Sequence, residues 1–91
     1  MSNKFDEARA TLSANIKALR RKHGIAQERL GLEAGVDRTF ISKIERGIGN
    51  PTLEILVKIS ERLEVRVDEL IREGMNDDAL PNAGKPNRSP D

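Results

Sequence analysis

Asp37-Arg38-Thr39-Phe40-Ile41-Ser42-Lys43-Ile44-Glu45-Arg46-Gly47 is the stretch on which the reading of this 91-residue chain turns. At roughly 100° per residue, Phe40, Ile41 and Ile44, with Val36 just before them, gather on one side of a helix. Arg38, Thr39, Ser42, Lys43 and Arg46 occupy the opposite arc. That arc is a short strip of hydrogen-bond donors with almost no acceptor charge, which suits the major groove of DNA. Arg or Lys can bond guanine O6 and N7, Thr offers a hydroxyl and a methyl for thymine, and Ser can take a phosphate or a base edge.

The residues upstream sharpen this reading, because Gln27 to Arg46 carry the spacing of two helices joined by a tight turn. Leu30, Ala34, Val36, Ile41 and Ile44 are the apolar positions. Gly31 stands where the two helices must approach closely, and Gly35 at the turn, where a positive φ would cost any residue with a Cβ. Several constrained positions agree at once, which a chance match rarely achieves.

Composition points to a small binding module. The length suffices for one modest core. No Cys, one His, and no Trp or Tyr leave no set of residues for a nucleophile, a metal cage, a disulfide scaffold or an aromatic stacking platform, so neither an enzyme nor a cofactor or metal is expected. The amino-terminal residues Met1-Ser2-Asn3-Lys4-Phe5-Asp6-Glu7 are charged, and no apolar run approaches the length that spans a bilayer. The expected location is therefore the cytoplasm.

The formal charge of +1 hides an asymmetry. Between Lys17 and Arg46, Lys17, Arg20, Arg21, Lys22, Arg29, Arg38, Lys43 and Arg46 outnumber Glu28, Glu33, Asp37 and Glu45. Between Glu54 and Glu73 the balance reverses, with Glu54, Glu61, Glu64, Asp68, Glu69 and Glu73 against Lys58, Arg62, Arg66 and Arg72. A basic pole that carries the donor strip and an acidic pole opposite it are expected.

Helical periodicity extends in both directions. Phe5, Ala8, Leu12, Ile16 and Leu19 define a first helix ending near Gly24, with Arg20-Arg21-Lys22-His23 in the last turn where the dipole favours cations. Helix two runs from about Gln27 to Ala34, and helix three from about Arg38 to Arg46 with Asp37 as N-cap. Gly47 to Pro51 reads as a loop. Thr52 caps a fourth helix with a broad apolar face of Leu53, Leu56, Val57, Ile59 and Leu63, and Val67 to Arg72 form a short fifth. Residues 1–73 make the domain, and the Asn, Asp, Pro and Gly-rich stretch 74–91 reads as a flexible tail.

Leu12 to Ile71 resembles the Xre, or Cro/C1-type, helix-turn-helix family of bacterial and phage DNA-binding proteins. The words that carry the resemblance are Ile16-Lys17-Ala18-Leu19-Arg20, Gly24-Ile25-Ala26-Gln27-Glu28, Ala34-Gly35-Val36-Asp37-Arg38-Thr39, Ile44-Glu45-Arg46-Gly47 and Asn50-Pro51-Thr52-Leu53. The opening of the third helix, Asp37-Arg38-Thr39-Phe40-Ile41-Ser42, is also similar to the controller proteins of restriction-modification systems. The resemblance implies an all-α, five-helix, lambda-repressor-like domain, bacterial or phage-encoded and nucleoid-associated. It implies a homodimeric transcriptional regulator on a palindromic operator in double-stranded DNA, with its recognition helix in the major groove. Carried over by position, Arg38, Thr39 and Lys43 reach base edges, while Gln27, Ser42, Arg46 and Asn50 hold the backbone. Gln27 also buttresses the recognition helix. The family's dimer surface maps to Val67, Leu70 and Ile71, with Arg66 and Glu69 at its rim. Ala26 stands where Ser or Thr usually caps helix two, Gly31 replaces the commoner Ala, Glu64 occupies the usual Gly after helix four, and Arg66 the usual cap of helix five.

The remaining polar residues have plainer readings. His23 continues the apolar stripe as a helix-end histidine, Phe40 packs at the edge of the core, and Glu45 partners a nearby Arg, since a carboxylate facing phosphates would oppose binding. Asp77-Asp78 falls short of a calcium loop, and Gly47-Ile48-Gly49 is a turn. The alternative to a regulator is an antitoxin or other protein-interaction module built on the same fold, with the tail or the acidic pole as its binding element.

Overall fold

The computed structural model describes residues 3–73, which form α1 (Lys4–Lys22), α2 (Gln27–Ala34), α3 (Arg38–Glu45), α4 (Leu53–Leu63) and α5 (Val67–Leu70) and, among the described residues, no strand. The tail expected at 74–91 lies outside the described residues. Three of the helices, α1, α3 and α4, begin at a residue whose side chain caps them. Asn3 accepts the Asp6 N–H at 2.7 Å, Asp37 the Thr39 N–H at 2.7 Å, and Thr52 the Ile55 N–H at 3.2 Å. Ala26 supplies no side-chain cap to α2, as its chemistry requires. At α5 the Glu69 carboxylate reaches back to the Arg66 N–H at 2.7 Å, half of a capping box.

The core is aliphatic: Leu12, Ile16, Leu19, Leu30, Val36, Ile41, Ile44, Ile59, Leu63 and Leu70. Full burial of such a side chain contributes about 1.5–3 kcal/mol. Phe40 is half-buried against this cluster, as expected of a residue at the edge of the apolar arc. Two polar side chains set the outer helices. Asn15 Nδ2 donates to the carbonyls of Leu70 and Arg72 at 2.9 and 3.0 Å, fastening the end of α5 to α1. His23 Nε2 lies 2.9 Å from the Leu63 carbonyl, which can only accept, so the ring donates there and ties the end of α1 to the end of α4.

The structure corrects several expectations. Phe5 and Ala8 lie outside the core, because α1 runs past the helices it packs on. Leu53 and Val57 stay exposed, so the buried face of α4 is narrower than its sequence suggests. Helix three stops at Glu45 and α5 at Leu70, with Arg46 and Ile71 as their C-caps. Glu64 does what glycine usually does after such a helix: its φ is 63°, the only positive value at a non-glycine residue among the described residues.

Gly31 shows how closely α2 and α3 approach, since a Cβ there would sit 2.6 Å from the Val36 carbonyl oxygen and 3.3 Å from the Arg38 backbone. Alanine would improve helix propensity by roughly 0.5–1 kcal/mol, but the obstacle is backbone and the shift would move the recognition helix. Gly31→Ala is therefore expected to be a net loss of about 1–2 kcal/mol, measured by urea unfolding. A stabilised variant would show that α3 yields.

Candidate nucleic-acid interface

Alternation of apolar and donor residues within eight positions makes α3 present two different surfaces. Ile41 and Ile44 are buried in the core, whereas Arg38, Thr39 and Lys43 are exposed, Arg46 is exposed at the C-cap, and Ser42 between them is half-buried. Asn50 is exposed in the loop that follows, and Gln27 is half-buried at the first turn of α2. The residues singled out from sequence for DNA contact thus share the α3 arc and the turns flanking it, with Gln27 reaching α3 from α2.

Besides the packing of Ile41 and Ile44, a part-buried ion pair holds α3 in place. Arg20 of α1 grips the Glu45 carboxylate with two bonds, Nε to Oε2 at 2.6 Å and Nη2 to Oε1 at 3.0 Å, and its Nη1 donates to the Ile25 carbonyl at 2.9 Å. Gln27 Nε2 donates to the same Oε1 at 3.0 Å, and Ser13 Oγ to the Glu45 carbonyl at 2.5 Å. One side chain of α3 is therefore bonded from both α1 and α2. A primary amide nitrogen carries two hydrogens, so Gln27 has a second N–H beyond the one that braces the helix.

These bonds also shape the local charge. Of the four acids in the basic half, Glu45 is turned inward to Arg20, Glu33 lies between Arg29 and Arg62, Asp37 accepts from the α3 backbone, and Glu28 is exposed on α2. Among the described residues Arg38, Lys43 and Arg46 are in no ion pair. The surface of α3 is accordingly cationic even though the chain is nearly neutral, as a polyanion requires.

Burial pushes the Glu45 carboxyl up, but the hydrogen bonds from Arg20 and Gln27 and the nearby positive charge of Arg20 and Lys17 outweigh it, holding the group below the ordinary carboxylate value. Sequence alone anticipated an arginine partner for Glu45 and left its identity open. The fastening of α5 by Asn15 and the bond from Ser13 were not anticipated at all.

Residues 16–70 match the helix-turn-helix family across their whole span, more than half of the chain. The chain belongs to the Cro/C1-type helix-turn-helix family. Among its relatives is the transcriptional regulator SlrR of Bacillus subtilis, 41% identical over 56 residues that make up 60% of this chain and 37% of that protein. The match thus spans a little over a third of SlrR. The control protein C.SmaI of Serratia marcescens is 29% identical over 75 residues, 81% of this chain and 89% of the control protein. Among solved structures, the hypothetical transcription factor NHTF from Neisseria superimposes with a TM-score of 0.70 at 30% identity, covering 79% of this chain and 83% of that one. The fold expected from sequence, a five-helix Cro/C1-type domain, is the fold observed.

The Arg20–Glu45 pair generates a test on this family member. A carboxyl whose folded pKa lies below its unfolded value of about 4.3 stabilises the protein above that pH, and the stabilisation fades as pH falls through the folded value. Unfolding measured from pH 7 to pH 2 should show this acid loss, flattened in Glu45→Gln. Arg20→Ala, which strands a buried carboxylate, should cost about 3–5 kcal/mol, and Arg20→Met with Glu45→Leu should recover much of it. A cost below about 1 kcal/mol, the range of exposed pairs, would mean that α3 is held by packing alone.

Proposed function

We propose that this chain is a sequence-specific transcriptional regulator that binds a palindromic operator as a homodimer, with α3 in the major groove. The observation that carries the reading is the exposed donor arc on a helix anchored by the Arg20–Glu45 pair, with Glu45 turned inward and Glu33 paired with Arg62. Arg38, Thr39 and Lys43 read base edges; Gln27, Ser42, Arg46 and Asn50 hold phosphates. The near-full-length match to a control protein supports a stand-alone regulator of the restriction-modification controller type.

One short helix gives too few contacts for tight operator binding, so two copies acting about one DNA turn, 34 Å, apart are required. The expected dimer surface needs one correction. Leu70 is 0% exposed and closes the monomer core, so it offers nothing to a partner. Val67 is half-buried and Ile71 is 49% exposed, which leaves both available. Leu53, 69% exposed, and Val57 on α4 add apolar surface on a helix against which α5 packs. Arg66 remains at the rim, while Glu69 is buried in the α5 cap.

Selection from a random duplex pool should yield a palindrome with half-sites one turn apart, and no enrichment would overturn the reading. Arg38→Ala is expected to cost about 1–3 kcal/mol on that operator and to relax its preference, whereas Arg46→Ala should weaken all sequences alike and flatten the salt slope. Equal losses on operator and random DNA for Arg38→Ala would remove it from base reading. Sedimentation of Ile71→Asp should give a helical monomer; a dimer of unchanged affinity would move the interface elsewhere.

A further inference from the structure

Two side chains of α1 reach the same residue at the carboxyl end of α3. Ser13 Oγ donates to the Glu45 carbonyl at 2.5 Å, and Arg20, two turns on, donates to the Glu45 carboxylate at 2.6 and 3.0 Å. Lys17 lies between them along the axis and about 40° and 60° around the helix from them. Ala14 and Arg21, about 60° and 40° to its other side, are exposed, whereas Lys17 is half-buried. Lys17 therefore stands at the edge where the α1–α3 contact meets solvent, and its charge is close enough to act on the Glu45 carboxylate.

Glu45 does not need this lysine. Its oxygens already accept from Arg20 and Gln27, and Arg20 alone balances its charge. Among the described residues Lys17 is in no ion pair, so the junction of α1, α2 and α3 carries a surplus positive charge. A lysine at such an edge keeps its stem against protein and its ammonium in water. That ammonium neighbours the carboxylate to which the Gln27 amide is bonded, and the amide has a second N–H. Arg46, the next residue after Glu45, is exposed.

We propose that Lys17 holds a DNA phosphate together with Gln27, extending the backbone contacts of α2 and α3 onto α1. The assignment rests on the regulator reading and adds a contact from a helix that carries none of the donor arc. An ammonium is a compact point charge that suits a phosphate and distinguishes no base. Lys17 supplies the charge and Gln27 the directed hydrogen bond.

The test is the salt dependence of binding by the full chain, followed by fluorescence anisotropy on the selected duplex and on random duplex. Lys17→Met keeps the stem and removes the charge, and Lys17→Gln replaces it should circular dichroism show that Met disturbs the fold. One phosphate contact contributes about 0.9 to the slope of log affinity against log salt, so the deficit of the variant should shrink about 3.5-fold between 50 and 200 mM salt, equally on both duplexes. Lys17→Arg should keep the original slope. Lys4→Gln removes the same charge about 20 Å away along α1, beyond a Debye length of about 8–10 Å, and should also keep it. An unchanged slope in Lys17→Met would overturn the proposal; if its affinity and Tm fell together, Lys17 would act by holding Glu45. An equal change in Lys4→Gln would overturn it as an effect of net charge. An unaltered chain that bound neither duplex would overturn the regulator reading as well, whereas salt-dependent binding that Lys17→Met left untouched would overturn the Lys17 contact alone.

Discussion

The rest of the structure depends on a carboxylate that points the wrong way for a DNA-binding helix. Glu45 lies on α3 beside Arg46, yet its side chain is turned into the molecule, where Arg20 and Gln27 hold it. The same atoms do two things. They orient α3 against α1 and α2, and they remove a negative charge from its outward surface. A pair of this kind is not justified by stability alone, since burying two ions is expensive and an apolar pair of similar volume often does as well. Its value is directional: a planar fork bonded to a carboxylate fixes rotation about the α3 axis more narrowly than aliphatic packing can. The Arg20 bond to the Ile25 carbonyl extends this control to the chain entering α2.

A second constraint acts at the other end of α3. Gly31 lets α2 sit against the Val36 carbonyl and the Arg38 backbone, and Asp37 caps the first turn. The amino end of the helix is thus placed by close backbone contact and its carboxyl end by the part-buried Arg20–Glu45 pair. Between them the donor residues have no structural duty. Their side chains face outward from a helix whose position is decided by others.

Most of the fold was legible in the sequence because the signals were redundant. Periodic apolar residues, Asp37 and Thr52 as caps, and glycines at turns with φ of 68° and 75° at Gly24 and Gly35 all agreed. The errors have a common cause. Periodicity identifies which residues share a face but not how far the neighbouring helices extend, so Phe5, Ala8, Leu53 and Val57 read as core and are exposed. The reverse happened at Leu70, which lies in a helix of a single turn, too short for a period to show which way it faces. Asn15, Ser13 and the partner of Glu45 were beyond reach because polar bonds across 25 to 55 residues leave no periodic trace. The donor arc of α3 was the most readable part of the candidate site, since its contrast with the buried arc is complete within two turns.

That separation of arcs bears on how such proteins diversify. Exposed positions away from caps and buried networks usually tolerate substitution within about 0.5 kcal/mol. Arg38, Thr39 and Lys43 are positions of that kind, while Ile41, Ile44 and Glu45, interleaved with them, are not. Under the proposed function, a lineage can therefore exchange the letters of its reading head one at a time without passing through an unfolded intermediate. Two descendants of one such chain could drift to different operators while their scaffolds stayed interchangeable, and coexist in one cell without reading each other's sites.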